Sequence, residues 1–327
     1  MNEIYQKLKS YNKIDLHIHL NGLFDSELIQ EILINEGTLI PTYFNPKCDL
    51  NILNYKRNLE RYLRPWDVLR LMPCKYENLV LLIDNAFKKL SDDNVRAVEL
   101  RSSIVYLSLL QNMNLENTLI MFISALNEAS NKYKVKYGLI MTISRGEYSF
   151  VHFNSLISAF NSIGKPIEII GLDLAGNENY PISKELSKSF RSSKDQYGFM
   201  LTVHAGETGS VDNIREAIND FHADRIGHGT AAGKCEKTME LLSKKDICVE
   251  VCPISNRRTG AVKANEAHPV KRFIQNNVPF VICSDNPSIH KTTLTDDYYD
   301  FYKETNELKI LDDMLSKQIK YSFIKKQ

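Results

Sequence analysis

Short runs of β-branched and apolar residues recur along the chain, with longer stretches of helical periodicity between them. That is the pattern of parallel βα units rather than of hairpins. Eight such runs stand out: Ile14–Leu20, Val95–Arg101, Tyr137–Ile143, Ile167–Leu174, Met200–His204, Asp224–His228, Ile247–Cys252 and Pro279–Asp285. Between them lie helix-like stretches such as Glu77–Leu90, Asn117–Tyr133, Val211–Phe221 and Pro269–Asn276. Eight parallel strands are the number that closes a barrel, so the expected fold class is α/β, a (β/α)8 TIM-type barrel. The connection after the first run, 22–76, is far longer than an ordinary βα loop. Its apolar residues, Leu28, Ile32, Leu59, Tyr62, Leu63, Trp66 and Leu69, predict added helices over the barrel mouth. No internal repeat, low-complexity segment or Gly/Ser linker divides the chain, so 1–327 is expected to be one barrel domain with 22–76 as a helical cap within it. The stretch after Thr295 predicts a long amphipathic helix against the outside of the barrel.

Composition narrows the partners. A chain of 327 residues, 43% hydrophobic and 25% charged, suffices for one large core. Lysine plus arginine number 41 against 40 aspartate plus glutamate, which gives no electrostatic pull toward nucleic acid or an anionic membrane. A small, weakly charged ligand is the expected partner. The six cysteines form no Cys-x-x-Cys pair and lack the density of a disulfide scaffold, which points to a reducing, cytoplasmic setting. There is no signal-peptide pattern at the start and no run of about 18 apolar residues, so no membrane span is expected. The pattern specifies no oligomeric state.

Strand alternation places the chemistry. Side chains two apart share a face, so Asp15, His17 and His19 are expected together, as are Thr202 with His204, Glu250 with Cys252, and Cys283 with Asp285. His17, His19, His204 and Asp285 fall at or near strand C-terminal ends, where barrels of this class build their sites. A lone His-x-His is often just two hydrogen-bonded histidines, but four ligand types at the same end of the barrel point to a metal. Three imidazoles and a carboxylate suit Zn²⁺ and leave room for a water whose pKa the metal lowers, so the implied chemistry is hydrolysis by one zinc per chain. Glu207 in His-Ala-Gly-Glu and His228 in Arg-Ile-Gly-His-Gly are flanked by glycine, and a carboxylate near a metal site is suited to shuttling a proton. Gly176, in Asp173-Leu174-Ala175-Gly176, could present a bare backbone N–H to a ring nitrogen. Cys252 and Cys283 are expected to fill the core. His152, His222, His268 and His290 lack comparable partners and are expected to face solvent or cap helices. Arg57, Arg61 and Arg64 recur at helical spacing and are expected to form a solvated face.

In order along the chain, DLHIHLNG from Asp15, Met72-Pro73, VELR from Val98, GLDLAGNE from Gly171, HAGE from His204, RIGHG from Arg225, CPISN from Cys252 and SDNP from Ser284 resemble the adenosine deaminase family. The resemblance implies hydrolytic deamination of adenosine or 2′-deoxyadenosine to inosine or 2′-deoxyinosine and ammonia, with a small purine nucleoside as partner. It implies His17, His19, His204 and Asp285 as zinc ligands, Glu207 as the acid that protonates ring N1, and Gly176 as the donor to N3. His228 would orient and help deprotonate the water. Two positions depart from the best-known members. The first motif reads Leu20-Asn21-Gly22 where an aspartate usually contacts the sugar, and the last reads Asp285-Asn286-Pro287, whose amide can donate to N7. The Leu-Asn-Gly form also resembles a nucleotide-acting branch, which keeps AMP, N6-methyl-AMP and adenine open as substrates. A binuclear amidohydrolase would want a lysine after the fourth strand, and none is there. The His-x-Glu with Pro-Cys-x-x-Cys pattern of cytidine deaminases is absent. A silent metal-binding barrel would need neither Glu207 nor His228.

Overall fold

The computed structural model describes residues 3–54, 59–72 and 75–324, with Glu60 in its main chain only. Arg57, Pro73 and Cys74 lie outside the described residues. Eight parallel strands pair in sequence order: β1 (Lys13–His19), β2 (Val95–Ser102), β3 (Lys136–Ser144), β4 (Ile169–Ala175), β5 (Met200–Ala205), β6 (Arg225–His228), β7 (Cys248–Val251) and β8 (Phe280–Ile282). The circle is nearly closed by a single bridge between Ile18 and Asp285 just past β8. Two backbone bonds make it: Asp285 N–H to His17 O and His19 N–H to Asp285 O, both 2.9 Å. The closure therefore runs through the residues expected to carry the site.

Helices alternate with the strands because each presents an apolar stripe to the sheet. Tyr76–Asp92 buries Leu79, Leu82, Ile83, Ala86, Phe87 and Leu90, and Leu115–Tyr133 buries a similar stripe after an Asn114 cap that accepts from Asn117 N–H. The 22–76 connection carries short helices, among them Ser26–Asn35, Leu59–Tyr62 and Trp66–Leu69. No described helix is long and apolar enough to cross a membrane.

Three expectations need correction. The C-terminal stretch is not one long helix: Leu294–Thr305 ends at Asn306 in a left-handed conformation (φ 59°), and Leu308–Asp312 and Met314–Tyr321 follow. Strict alternation fails in β1, whose register against β2 is irregular between Asp15 and Ile18. Asp15 accordingly bonds Ser284 Oγ at 2.5 Å instead of joining the histidines. Finally, His268 and His290 are buried, at 4% and 1% exposure, not solvent-facing.

Candidate active site

Four imidazoles and one carboxylate meet at the C-terminal end of the barrel. His19 Nε2 lies 3.1 Å from His204 Nε2. Asp285 Oδ1 lies 3.6 Å from His17 Nε2 and 3.4 Å from His19 Nε2. The His228 ring packs against those of His17 and His204, with centroids 4.8 and 5.2 Å apart. The sequence reading brought His17, His19, His204, Asp285 and His228 to one place, and the structure does the same.

Each inward-facing histidine is held from behind. His17 Nδ1 is 2.8 Å from Glu250 Oε2, and His204 Nδ1 is 2.9 Å from Asp173 Oδ1. Burial opposes ionisation of Glu250, yet the Arg101 and Arg225 guanidiniums beside it hold its carboxyl well below the usual range. Asp173 is likewise held ionised against its burial, by the charges of His204 and Arg101. An ionised carboxylate only accepts, so both Nδ1 atoms donate and both Nε2 lone pairs face the cluster. Burial holds His19 at about 3, so its imidazole is neutral.

This donor set fits a zinc ion. Asp285 Oδ1 is buried with no hydrogen-bond partner, although Oδ2 accepts from Ser255 Oγ at 2.5 Å. An orphaned carboxylate oxygen facing imidazole lone pairs is a cost unless a cation meets it. Asp173 and Glu250 pair with Arg101, and Glu99 and Glu250 with Arg225, whereas among the described residues the Asp285 carboxylate meets no guanidinium or ammonium and faces the imidazoles of His17 and His19. His17, His19 and Asp285 form one compact triad of ligand atoms, and His17, His204 and His228 another.

The Glu207 side chain, 9% exposed, sits with Oε2 3.9 Å from His228 Nε2. Burial, with the Asp285 and Glu178 charges, raises its carboxyl well above the usual range, which favours its protonated form. Glu178 supports its loop: the carboxylate accepts the N–H groups of Gly206, Glu207 and Thr208 at 2.7, 2.7 and 3.2 Å, and Asn213 Nδ2 at 2.7 Å. Gly176 has φ 99°, a conformation that favours glycine. Asn21 lines a small pocket with His19, Arg70, Ser102, Ser103 and Ser144. Asn286 Nδ2 donates to Tyr62 Oη at 2.9 Å, and Tyr62 Oη in turn lies 2.8 Å from His290 Nε2. Asn286 Oδ1 faces Gly22, where a Cβ would lie 1.9 Å away, so Gly22 leaves room for this amide.

Glu207 also borders a cavity of about 1290 Å³ shared with Leu59, Arg61, Leu63 and Arg64 of the long connection. Arg61 and Arg64 thus edge the mouth, and Arg64 bonds Tyr43 O at 2.6 Å. Sequence reasoning left Ser255, Asn256, Glu178 and Tyr62 without roles. Ser255 and Asn256 carried a signal as unassigned members of the Cys252–Asn256 motif, and Glu178 as the last residue of the Gly171–Glu178 motif. Asn256 Nδ2 is 3.0 Å from His228 Nδ1 and its Oδ1 is 3.2 Å from His268 Nε2.

Comparison with known proteins gives consistent results. The family model described as adenosine deaminase matches residues 12–327. An adenosine deaminase of Clostridium botulinum (strain 657 / Type Ba4) is 30% identical over 295 residues, covering 88% of this chain and 86% of that protein. An amidohydrolase of Burkholderia ambifaria solved with bound zinc superposes with a TM-score of 0.85 at 16% identity, over 99% of this chain and 89% of that one. The N6-mAMP deaminase of Arabidopsis superposes with a TM-score of 0.82 at 19% identity, over 97% and 95%.

Proposed function

This chain belongs to the adenosine deaminase family, and from that premise we propose that it hydrolyses the 6-amino group of adenosine or 2′-deoxyadenosine, using one zinc ion per chain, in cytoplasmic purine salvage. The observation that carries the reading is the convergence of His17 and His19 on the orphaned Asp285 Oδ1, with His204 beside His19 and with Glu207, whose carboxyl is shifted upward by burial, close to His228. His17, His19, His204 and Asp285 would hold the metal, which when bound supplies Lewis-acid activation of a water at neutral pH. The rest falls to the chain's own side chains. Glu207 gives its proton to N1, which drains electron density from C6 and lets an oxygen nucleophile add there. In the adduct the hydroxyl proton passes to the amino nitrogen, the C6–N bond breaks, and ammonia departs, leaving a 6-oxo purine that keeps the proton on N1. Gly176 presents its backbone N–H toward N3, and Asn286 lies by N7 with its amide exchanged from Tyr62 Oη.

A second reading, a 5′-nucleotide substrate, draws on the pocket beside Asn21. Ser102 Oγ there is buried without a partner, and Arg70 and Ser103 share its lining. Hydroxyls and a guanidinium suit a phosphate, and Asn21 lacks the charge that would repel one. The test is conversion by the zinc-loaded enzyme of adenosine, deoxyadenosine, AMP, N6-methyl-AMP and adenine to the 6-oxo purine, with release of ammonia, or of methylamine from N6-methyl-AMP. The expected outcome is the highest kcat/KM for the two nucleosides. Preference for AMP or N6-methyl-AMP replaces the nucleoside by the nucleotide, and absence of a 6-oxo product from all five overturns the deaminase reading.

A further inference from the structure

A run of hydrogen bonds behind His228 has a direction set at one end by a group that can act only one way. A backbone N–H donates and never accepts. Val270 N–H points at His268 Nδ1 at 3.2 Å, so that nitrogen carries the lone pair and the proton of His268 sits on Nε2. His268 Nε2–H then donates to Asn256 Oδ1 at 3.2 Å, which fixes which end of the amide is oxygen. The other end, Nδ2–H, donates to His228 Nδ1 at 3.0 Å. Nδ1 of His228 is therefore the acceptor, and in the neutral ring the proton resides on Nε2, the nitrogen turned toward Glu207 and the other imidazoles. All three side chains are buried, Asn256 at 0%, His228 at 2% and His268 at 4% exposure, so water does not compete for these bonds.

The contrast with the neighbouring rings is sharp. His17 and His204 meet carboxylates at Nδ1, which places their protons there and frees Nε2 for a metal. His228 meets an amide donor at Nδ1, which places its proton at Nε2 and leaves no lone pair on that side. The partner behind each ring thus sorts otherwise equivalent imidazoles, and it removes His228 from the ligand set that distance alone would allow with His17 and His204.

We propose that Asn256 and His268 are positioning residues that hold His228 as an Nε2–H hydrogen-bond donor to the oxygen attacking C6, rather than as a base or a metal ligand. The resemblance in sequence had implied a histidine that helps deprotonate the water. A donor steadies and aims that oxygen and the negative charge that develops on it, and it needs no proton transfer of its own. His228 has a backbone φ of 62°, rare for a residue with a side chain, so the fold accepts local strain at the position whose ring direction the relay controls.

The inference rests on the deaminase reading only for the identity of the attacked atom, and the tautomer itself is measurable without turnover. ¹⁵N-histidine NMR of the zinc-loaded enzyme, with His228 identified by its loss in His228→Gln, should show a protonated Nε2 and an acceptor Nδ1. Asn256→Asp puts only acceptors against Nδ1. It should move the proton to Nδ1 and lower kcat about 100-fold or more, with KM and zinc content near wild type; a comparable tautomer error is severe in serine proteases. His268→Gln retains a side-chain donor toward Asn256 and should keep most of kcat, whereas His268→Leu releases the amide and should resemble Asn256→Asp. A wild-type His228 protonated on Nδ1, or an Asn256→Asp enzyme with unchanged kcat, overturns the proposal. Should Asn256→Asp fail to fold, the wild-type spectrum and the His268 pair decide it. A correct tautomer in an enzyme that deaminates no purine would instead leave the relay standing and sink the proposed function.

Discussion

Asp285 uses its two oxygens differently, and the difference can be tested by one methyl-sized change. Oδ2 accepts from Ser255 Oγ while Oδ1 faces the imidazoles without a partner. Ser255→Ala frees the carboxylate to rotate, so zinc affinity should fall by about 10- to 100-fold with the fold intact, read by competition with a chromophoric chelator. Unchanged affinity would mean that Ser255 does not orient the ligand. Glu207→Gln separates proton donor from metal site. It should keep zinc and thermal stability yet lower kcat by about 10² or more, because the amide cannot give up a proton to N1. At this scale the sequence is legible where spacing along one strand does the work. His17 and His19 could be paired from β1, and His204 and Asp285 added from strand ends. It is silent where a residue acts through a partner far along the chain. His268 reads as an isolated surface histidine until the fold sets it against Asn256, and His290 until it meets Tyr62, 228 residues away in sequence.

At the scale of elements, the loop after β5 shows how a single carboxylate can organise the backbone around Glu207. Glu178 gathers three consecutive N–H groups from Gly206, Glu207 and Thr208, and its charge also helps raise the Glu207 carboxyl. Glu178→Gln turns an NH₂ toward N–H donors, so the loop loses its anchor and kcat should drop by about 10-fold or more. The sign of the pH effect is fixed as well. Activity that needs protonated Glu207 is lost as pH rises through its pKa, and removal of the Glu178 charge lowers that pKa. The alkaline limb of the kcat profile should therefore move to lower pH, and a shift to higher pH would contradict the charge coupling. The eight strands were legible because each is a short apolar run bounded by helical periodicity, and observed bounds fall within a few residues of those expected. The irregularity in β1 was not, since alternation carries no trace of a local slip that turns Asp15 toward Ser284. Nor was the break at Asn306, where one left-handed residue divides an amphipathic pattern that continues on both sides.

Across the whole molecule, the barrel interior is an ionic network. Arg225 joins Glu99 and Glu250 at 2.6 Å each and reaches Tyr321 O at 2.8 Å, tying the C-terminal helices to the strands. Arg101 links Glu250 to Asp173, and those two carboxylates steady the two inward histidines. The Asp285 carboxylate has no guanidinium or ammonium partner among the described residues, so a cation bound beside it should add stability. A ligand that binds only the folded state adds stability as RT ln(1 + [L]/Kd), about 4 kcal/mol at 1,000 times Kd. Zinc should accordingly raise Tm by several degrees over chelator-treated protein, in scanning calorimetry at fixed pH. Asp285→Asn provides the discriminating case, because it removes the charge and the ligand together. Against its burial, the imidazoles of His17, His228 and His19 hold the Asp285 carboxyl well below its usual range, so its charge stabilises the fold and metal-free Asp285→Asn should melt somewhat below metal-free wild type. With zinc added, its Tm should barely move. A zinc-induced rise in Tm as large as that of wild type would show that Asp285 does not hold the cation.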